Sequence, residues 1–222
     1  MGNPFIIIVG AGPGIGAATA RRFTTAGYDI GLVARNPDKL EELAGSLTKE
    51  GAQVGWGAAD VADPAALTDV LTKMTETTGR LDVLVHNAVA FRAAPASKLS
   101  AADLLTDLGT GVGSLLTAVQ AVLPTLRRQR TGTIIATGSG AADHPHTTAA
   151  SLGVQKAGLR NLVQTLAAEL GDEGIHVATL TVHGVLAAGT PFAPEAIAEV
   201  YAGLVAQTGT DRSNWQTLVD LR

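Results

Sequence analysis

An α/β layered domain, a doubly wound parallel sheet with helices on both faces, is what the 222-residue sequence predicts. Three observations carry the prediction. Short apolar, β-branched runs alternate with helix-period segments, and strands separated by helices of roughly ten to twenty residues need crossover connections, hence parallel pairing. A glycine-rich turn stands directly between the first apolar run and the first helical segment. Glycine accounts for 26 residues while aromatics are only 4%, a composition suited to layers whose small side chains let backbones approach.

The elements follow in order. Phe5–Val9 (FIIIV) is apolar throughout, as a strand buried on both faces should be. Residues 15–26 read as a helix closed by Gly27, and Asp29–Ala34 as the second strand. Asn36-Pro37 pairs a capping side chain with a proline at the first helical position and predicts a helix to about residue 50. Val54–Ala58 is a weaker third strand, and Asp63-Pro64 repeats the cap ahead of a helix to Thr78. Residues 81–86 form a fourth strand. Residues 100–130 are mainly helical, weakened early by Gly109, Gly111 and Gly113. A strand at 133–137, a helix at 149–171, a strand at 176–182, a short helix at Pro194–Gln207 and a last strand at 215–221 complete the pattern. No repeat or linker divides it, so residues 1–222 are expected to form one domain, with 189–209 as a short lid.

Composition narrows the function. At 46% hydrophobic and 16% charged residues the chain buries a substantial core. With no cysteine, disulfides, thiolate metal sites and a cysteine nucleophile are excluded. A net charge of −4 and no basic run beyond Arg127-Arg128-Gln129-Arg130 argue against nucleic acid as a partner. The five histidines lack metal-ligand spacing, and His144-Pro145-His146 has no acidic partner at helical spacing, so no metal is expected. Near the N-terminus the longest apolar stretch is Phe5–Val9, too short for a membrane span, and no leader pattern precedes it. A soluble, cytoplasmic protein with no membrane partner is the expectation.

The turn Val9-Gly10-Ala11-Gly12-Pro13-Gly14-Ile15-Gly16 opens the first helix, where backbone amides and the positive helix end favour a phosphate. It lacks the Gly-Lys-Ser/Thr of a Walker loop, and Ile15 stands where G-x-G-x-x-G needs glycine. G-x-x-x-G-x-G is met by Gly10, Gly14 and Gly16, and a methyltransferase loop fits superficially. The first spacing resembles the short-chain dehydrogenase/reductase family. The resemblance continues through Ala59-Asp60-Val61, His86-Asn87-Ala88-Val89, Thr137-Gly138-Ser139 and Lys156, in order, over residues 5–185. It implies a Rossmann-type domain whose cofactor-binding residues are Gly10, Gly12, Gly14, Ile15, Gly16, Arg35, Asp60, Val61, Asn87, Ala88, Lys156 and Gly184. The second strand ends Ala34-Arg35-Asn36. With no carboxylate to repel a 2′-phosphate and a guanidinium to meet it, NADP is preferred over NAD.

The family mechanism, as the resemblance implies it, uses a tyrosine as proton donor, a serine on the substrate oxygen, a lysine that grips the ribose and lowers the tyrosine pKa, and an asparagine supporting a water relay. Ser139 and Lys156 match their positions, but the tyrosine position holds Leu152 and the asparagine position falls on Thr110 or Gly111. After the sixth strand, His183-Gly184 replaces Pro-Gly, and Thr190 comes two positions late. Substitute acids are few. Tyr28 lies at the wrong end of the sheet, Tyr201 on the lid helix, Ser151 on another helix face, and His144 and His146 in the loop after the fifth strand. His183, at a strand end and of the residue type whose charge most readily changes near neutral pH, joins Ser139 and Lys156 as a catalytic candidate. The reading is therefore an NADP(H)-binding oxidoreductase for a small carbonyl or alcohol with catalysis impaired, or alternatively a non-catalytic nucleotide sensor or silent subunit. The resemblance also implies a homodimer or homotetramer through the long helices at 114–130 and 149–171.

Overall fold

The computed structural model describes residues 2–222. Among the described residues there are seven strands: β1 (Phe5–Val9), β2 (Asp29–Ala34), β3 (Val54–Ala58), β4 (Val83–His86), β5 (Gly132–Ser139), β6 (Ile175–Val182) and β7 (Leu218–Leu221). They form one sheet in the order β3-β2-β1-β4-β5-β6-β7, every pair parallel. The helices between them are α1 (Ile15–Thr25), α2 (Pro37–Lys49), α3 (Pro64–Thr78), α4 (Ala101–Leu108), α5 (Ser114–Gln129), α6 (Ala150–Leu170) and α7 (Pro194–Gln207).

Alternation along the strands builds two apolar layers. Ile7 and Val9 of β1 face Leu71 of α3, Leu115 of α5 and Val163 of α6. Ile6 and Ile8 join Phe23 of α1, Leu40 of α2 and Tyr201 of α7 on the opposite face. Complete burial of one such Ile, Leu or Phe stabilises the fold by about 1.5–3 kcal/mol. The two predicted caps form: Asn36 Oδ1 accepts from Lys39 N at 3.0 Å, and Asp63 Oδ1 accepts from Ala65 N and Ala66 N at 3.0 and 3.1 Å.

Two elements differ from the sequence reading. The helix expected over 100–130 is interrupted by a π-helical turn at Gly109–Gly113, where the three glycines offer little resistance to the wider turn. The last strand starts at Leu218 rather than 215, because 212–214 forms a single 3₁₀ turn. Within the segment 189–209 expected as a short lid, α7 buries Ile197, Ala198, Tyr201 and Leu204. Its Glu199 also pairs with Arg22 of α1 at 2.7 Å. The helical run Ala101–Gln129 is long and apolar enough, by length and composition alone, to cross a membrane. Here Leu115, Ala118, Val119, Val122 and Leu126 of that run are buried in the core. The chain order reverses between β1 and β4, which opens a crevice at the carboxyl ends of the strands, the usual ligand position in such sheets.

Candidate functional site

The glycine turn after β1 divides into two pairs with different physical duties. Gly10 has φ +86°, and a Cβ on it would stand 2.8 Å from Ala88 N. A Cβ on Gly16 would stand 2.8 Å from Ala11 Cα. These two glycines let the β1 turn pack against the β4 turn and against itself. At Gly12 and Gly14 a Cβ would meet nothing within 4 Å, so their bare faces look into the crevice. No side chain caps α1, whose N-terminus carries its positive end toward the same space.

Gly12 forms a common wall of three connected lobes. One lobe, bounded by Ala34, Arg35, Asn36 and Lys39, lies beside α2. The second, of about 620 Å³, is lined by Gly10, Ala34, Arg35, Asp60, Val61, Asn87 and Ala88. The third, of about 590 Å³, is lined by Gly14, Ile15, Asn87, Ser139, Leu152, Lys156 and Gly184. Of the sequence candidates for a nucleotide, all but Gly16 thus line this cleft. Arg35 is exposed on its rim and makes no ion pair among the described residues. The Asp60 carboxylate accepts from Ala62 N at 3.0 Å, which orients it at the edge.

The third lobe brings Ser139, Leu152 and Lys156 together. Leu152 and Lys156 are one turn apart on α6 and share a face. Ser139 ends β5, and its Oγ accepts from Ala141 N at 3.2 Å. The Lys156 ammonium is buried and donates to the Thr137 carbonyl at 2.6 Å. Burial pushes this lysine down to about 8. Apart from Asn87, Thr137, Ser139 and Lys156, the side chains lining the lobe are apolar, among them Val89, Phe91, Leu152, Val185 and Leu186. Phe91 and Val185 are 72% and 85% exposed at its mouth.

The substitute acids considered from sequence are placed elsewhere. Tyr201 is fully buried, within 2.7 Å of Thr137 Oγ1. That hydroxyl in turn donates to Asn87 Oδ1 at 2.9 Å, so the phenol donates to Thr137, and burial pushes its pKa up. Tyr28 meets Phe23 edge-on near the start of β2. Ser151 is buried, His144 and His146 are exposed, and none of the three lines the lobe. Thr190 Oγ1 is turned into its own loop, donating to Ala187 O at 2.8 Å. His183 is not in the lining although both its neighbours are. Its Nε2 lies 2.8 Å from Asp220 Oδ1 on β7, which draws the ring toward the sheet edge.

Two polar groupings escaped sequence reasoning. His86 ends β4 completely buried, with Nε2 2.7 Å from Ser114 Oγ of α5. Burial, then the nearby Lys156 charge, pushes its imidazole down to about 3. A histidine closing an otherwise apolar strand was the one available signal. Arg92 grips Asp107 of α4 through two bonds of 2.9 and 3.0 Å. This pair fixes the loop after β4, and the guanidinium holds the Asp107 carboxyl below the usual carboxylate range. Nothing in the spacing of these two residues announced it.

Comparison with known proteins agrees with this geometry. The short chain dehydrogenase family model matches residues 4–195. Sulfoacetaldehyde reductase 2 of Chromohalobacter salexigens is 33% identical over 177 residues, 79% of this chain and 70% of that protein. The 2,3-dihydro-2,3-dihydroxybenzoate dehydrogenase of Bacillus subtilis is 32% identical over 168 residues, 76% of this chain and 64% of its own length. The crystal structure of a metagenomic short-chain oxidoreductase in complex with NADP superposes with a TM-score of 0.88 at 25% identity, over 99% of this chain and 97% of that one.

Proposed function

This chain belongs to the short chain dehydrogenase family, and on that premise we propose that its cleft holds NADP(H) in preference to NAD(H) and acts on a small neutral carbonyl or alcohol compound. The observation that carries the reading is the shared Gly12 wall: one cleft runs from Arg35, past the uncapped end of α1, to Ser139 and Lys156. The residues fit such a group. Bare Gly12 and Gly14 leave room for a pyrophosphate at the α1 amides. Arg35 takes a 2′-phosphate, Asp60 and Val61 border the adenine end, and Asn87, Ala88 and Gly184 the other end. Lys156 grips the ribose. A bound nicotinamide would supply or accept the hydride. Ser139 holds the substrate oxygen, and the apolar walls exclude water and accept an apolar substrate body.

In this assignment Leu152 occupies the place of the family's proton donor, and Gly111 or Thr110 that of its asparagine. Turnover without the positioned acid falls by roughly 10²–10⁴-fold. A second reading, a non-catalytic nucleotide sensor or silent subunit, is favoured by the same leucine.

Arg35→Ala is expected to weaken NADPH binding by roughly 10–10²-fold, the loss of one or two charge-assisted bonds, while NADH affinity stays nearly constant. Titration calorimetry with both nucleotides checks it, and equal losses would show that Arg35 does not read the 2′-phosphate. We also assign a homodimer or homotetramer to the α5–α6 face, where the exposed Leu116 lines a groove with Leu123, Pro124 and Leu166. Covering that apolar area is favourable at roughly 25 cal/mol per Å². Light scattering at micromolar concentration should give a multiple of the 22.5 kDa chain, and a monomer mass sinks the assignment.

A further inference from the structure

Gln155 immediately precedes Lys156 on α6, and its side chain is completely buried. Its Oε1 accepts from Ala90 N at 3.1 Å and its Nε2 donates to Ala90 O at 2.9 Å. The carboxamide therefore pairs with a whole backbone unit, as a neighbouring strand would. The second Nε2 hydrogen reaches Ser151 O at 3.3 Å. All of its hydrogen-bonding groups are used, which is what a buried amide requires.

The space for this side chain comes from another helix. A Cβ on Gly111, buried in the π-helical turn, would clash with Gln155 Oε1 and stand 2.9 Å from its Cδ. Gly111 is not among the glycines with positive φ, so its backbone conformation does not demand glycine. Room for the carboxamide does. A Cβ at 111 and the Gln155 carboxamide in its present position exclude each other.

The backbone held in this way forms the wall of the cleft. Val89, Ala90 and Phe91 lie between two of its lobes, and Val89 and Phe91 face the one that contains Lys156. Ala150 N at the start of α6 also donates to Ala94 O at 3.0 Å, so the loop after β4 is tied to α6 twice.

We propose that Gln155 is a positioning residue of this site: its carboxamide, admitted by Gly111, latches the Ala90 loop to the helix that carries Lys156. The latch thereby sets the spacing between the Val89–Phe91 wall and the lysine. Its effect on nucleotide binding rests on the function proposed above, whereas the latch itself does not.

The test moves the carboxamide from one helix to the other in the full chain, comparing wild type, Gln155→Ser, Gly111→Asn and the double variant. Gln155→Ser should speed hydrogen exchange at the Ala90 amide by about tenfold or more, as expected when one buried partner is removed. It should also weaken NADPH and NADH alike. Gly111→Asn alone should lower the thermal midpoint sharply, and the double variant should recover above both singles. If Gly111→Asn does not fold, Gly111→Ala supplies the same cycle with a smaller clash. A comparably destabilised control in the α6 core, Val163→Ala, should leave nucleotide affinity unchanged. Strictly additive losses in the double variant, or unchanged Ala90 exchange in Gln155→Ser, would overturn the latch. Equal affinity losses in Val163→Ala would reduce Gln155 to a general stability residue and overturn its positioning role. A wild-type chain that binds neither nucleotide overturns the cofactor reading instead, and the stability and exchange cycle still decides the latch.

Discussion

Replacing Leu152 with tyrosine is expected to raise NADPH-dependent reduction of activated, uncharged aldehydes by about 10²-fold, within the range that a positioned general acid contributes. Leu152 lines the same lobe as Ser139 and Lys156, so a phenol there enters the space shared by the Ser139 hydroxyl and a buried ammonium. Lys156 sits one helical turn later, and its charge draws a phenol from roughly pKa 10 toward the working pH. The double variant Leu152→Tyr/Lys156→Ala should therefore lose the gain, whereas a gain due to altered packing would survive. Stopped-flow loss of NADPH absorbance measures both. Wild-type turnover already at about 1–10³ per second would mean that the proton comes from another donor. A tyrosine variant that binds NADPH yet stays inert favours the non-catalytic reading, since more than the acid would then be absent.

Acidification should cost this fold about 1.4 kcal/mol per pH unit through His86 alone, beginning near the ordinary histidine value. The ring is completely buried and its Nδ1 has no partner among the described residues. The unfolded chain takes up this proton at about pH 6.5, while in the fold burial and the Lys156 charge delay it to about 3. Between those values the unfolded state binds more protons, so stability falls as pH falls. Above that window the neutral ring contributes its full packing. Urea midpoints from about pH 7.5 to about pH 5 should therefore drop more steeply for wild type than for His86→Asn, which cannot titrate. Parallel curves would show that the ring charges freely in the folded state.

What could be read without a structure obeys local rules. Continuous apolar runs mark parallel strands because both faces of each are buried. Asn36-Pro37 and Asp63-Pro64 start helices because a side-chain oxygen and a fixed φ satisfy the first turn wherever they occur. Gly10 and Gly16 were legible as a nucleotide turn for a similar reason, since the tight turn is made within a few residues of chain. Ser139, Lys156 and Leu152 could be grouped only through the resemblance to the short-chain dehydrogenase/reductase family; in the fold all three line one lobe.

The tertiary structure alone decided which distant side chains met. His183 stands at the right strand end, yet Asp220, 37 residues later, turns its ring to the sheet edge. Tyr201 of α7 met Thr137, 64 residues away. His86 found Ser114 across 28 residues, and Gln155 found Ala90 across 65. No periodicity encodes such pairs. They form because a buried donor or acceptor must be satisfied by whichever partner the packed layers bring within reach, and that choice exists only once the sheet and its helices have closed together.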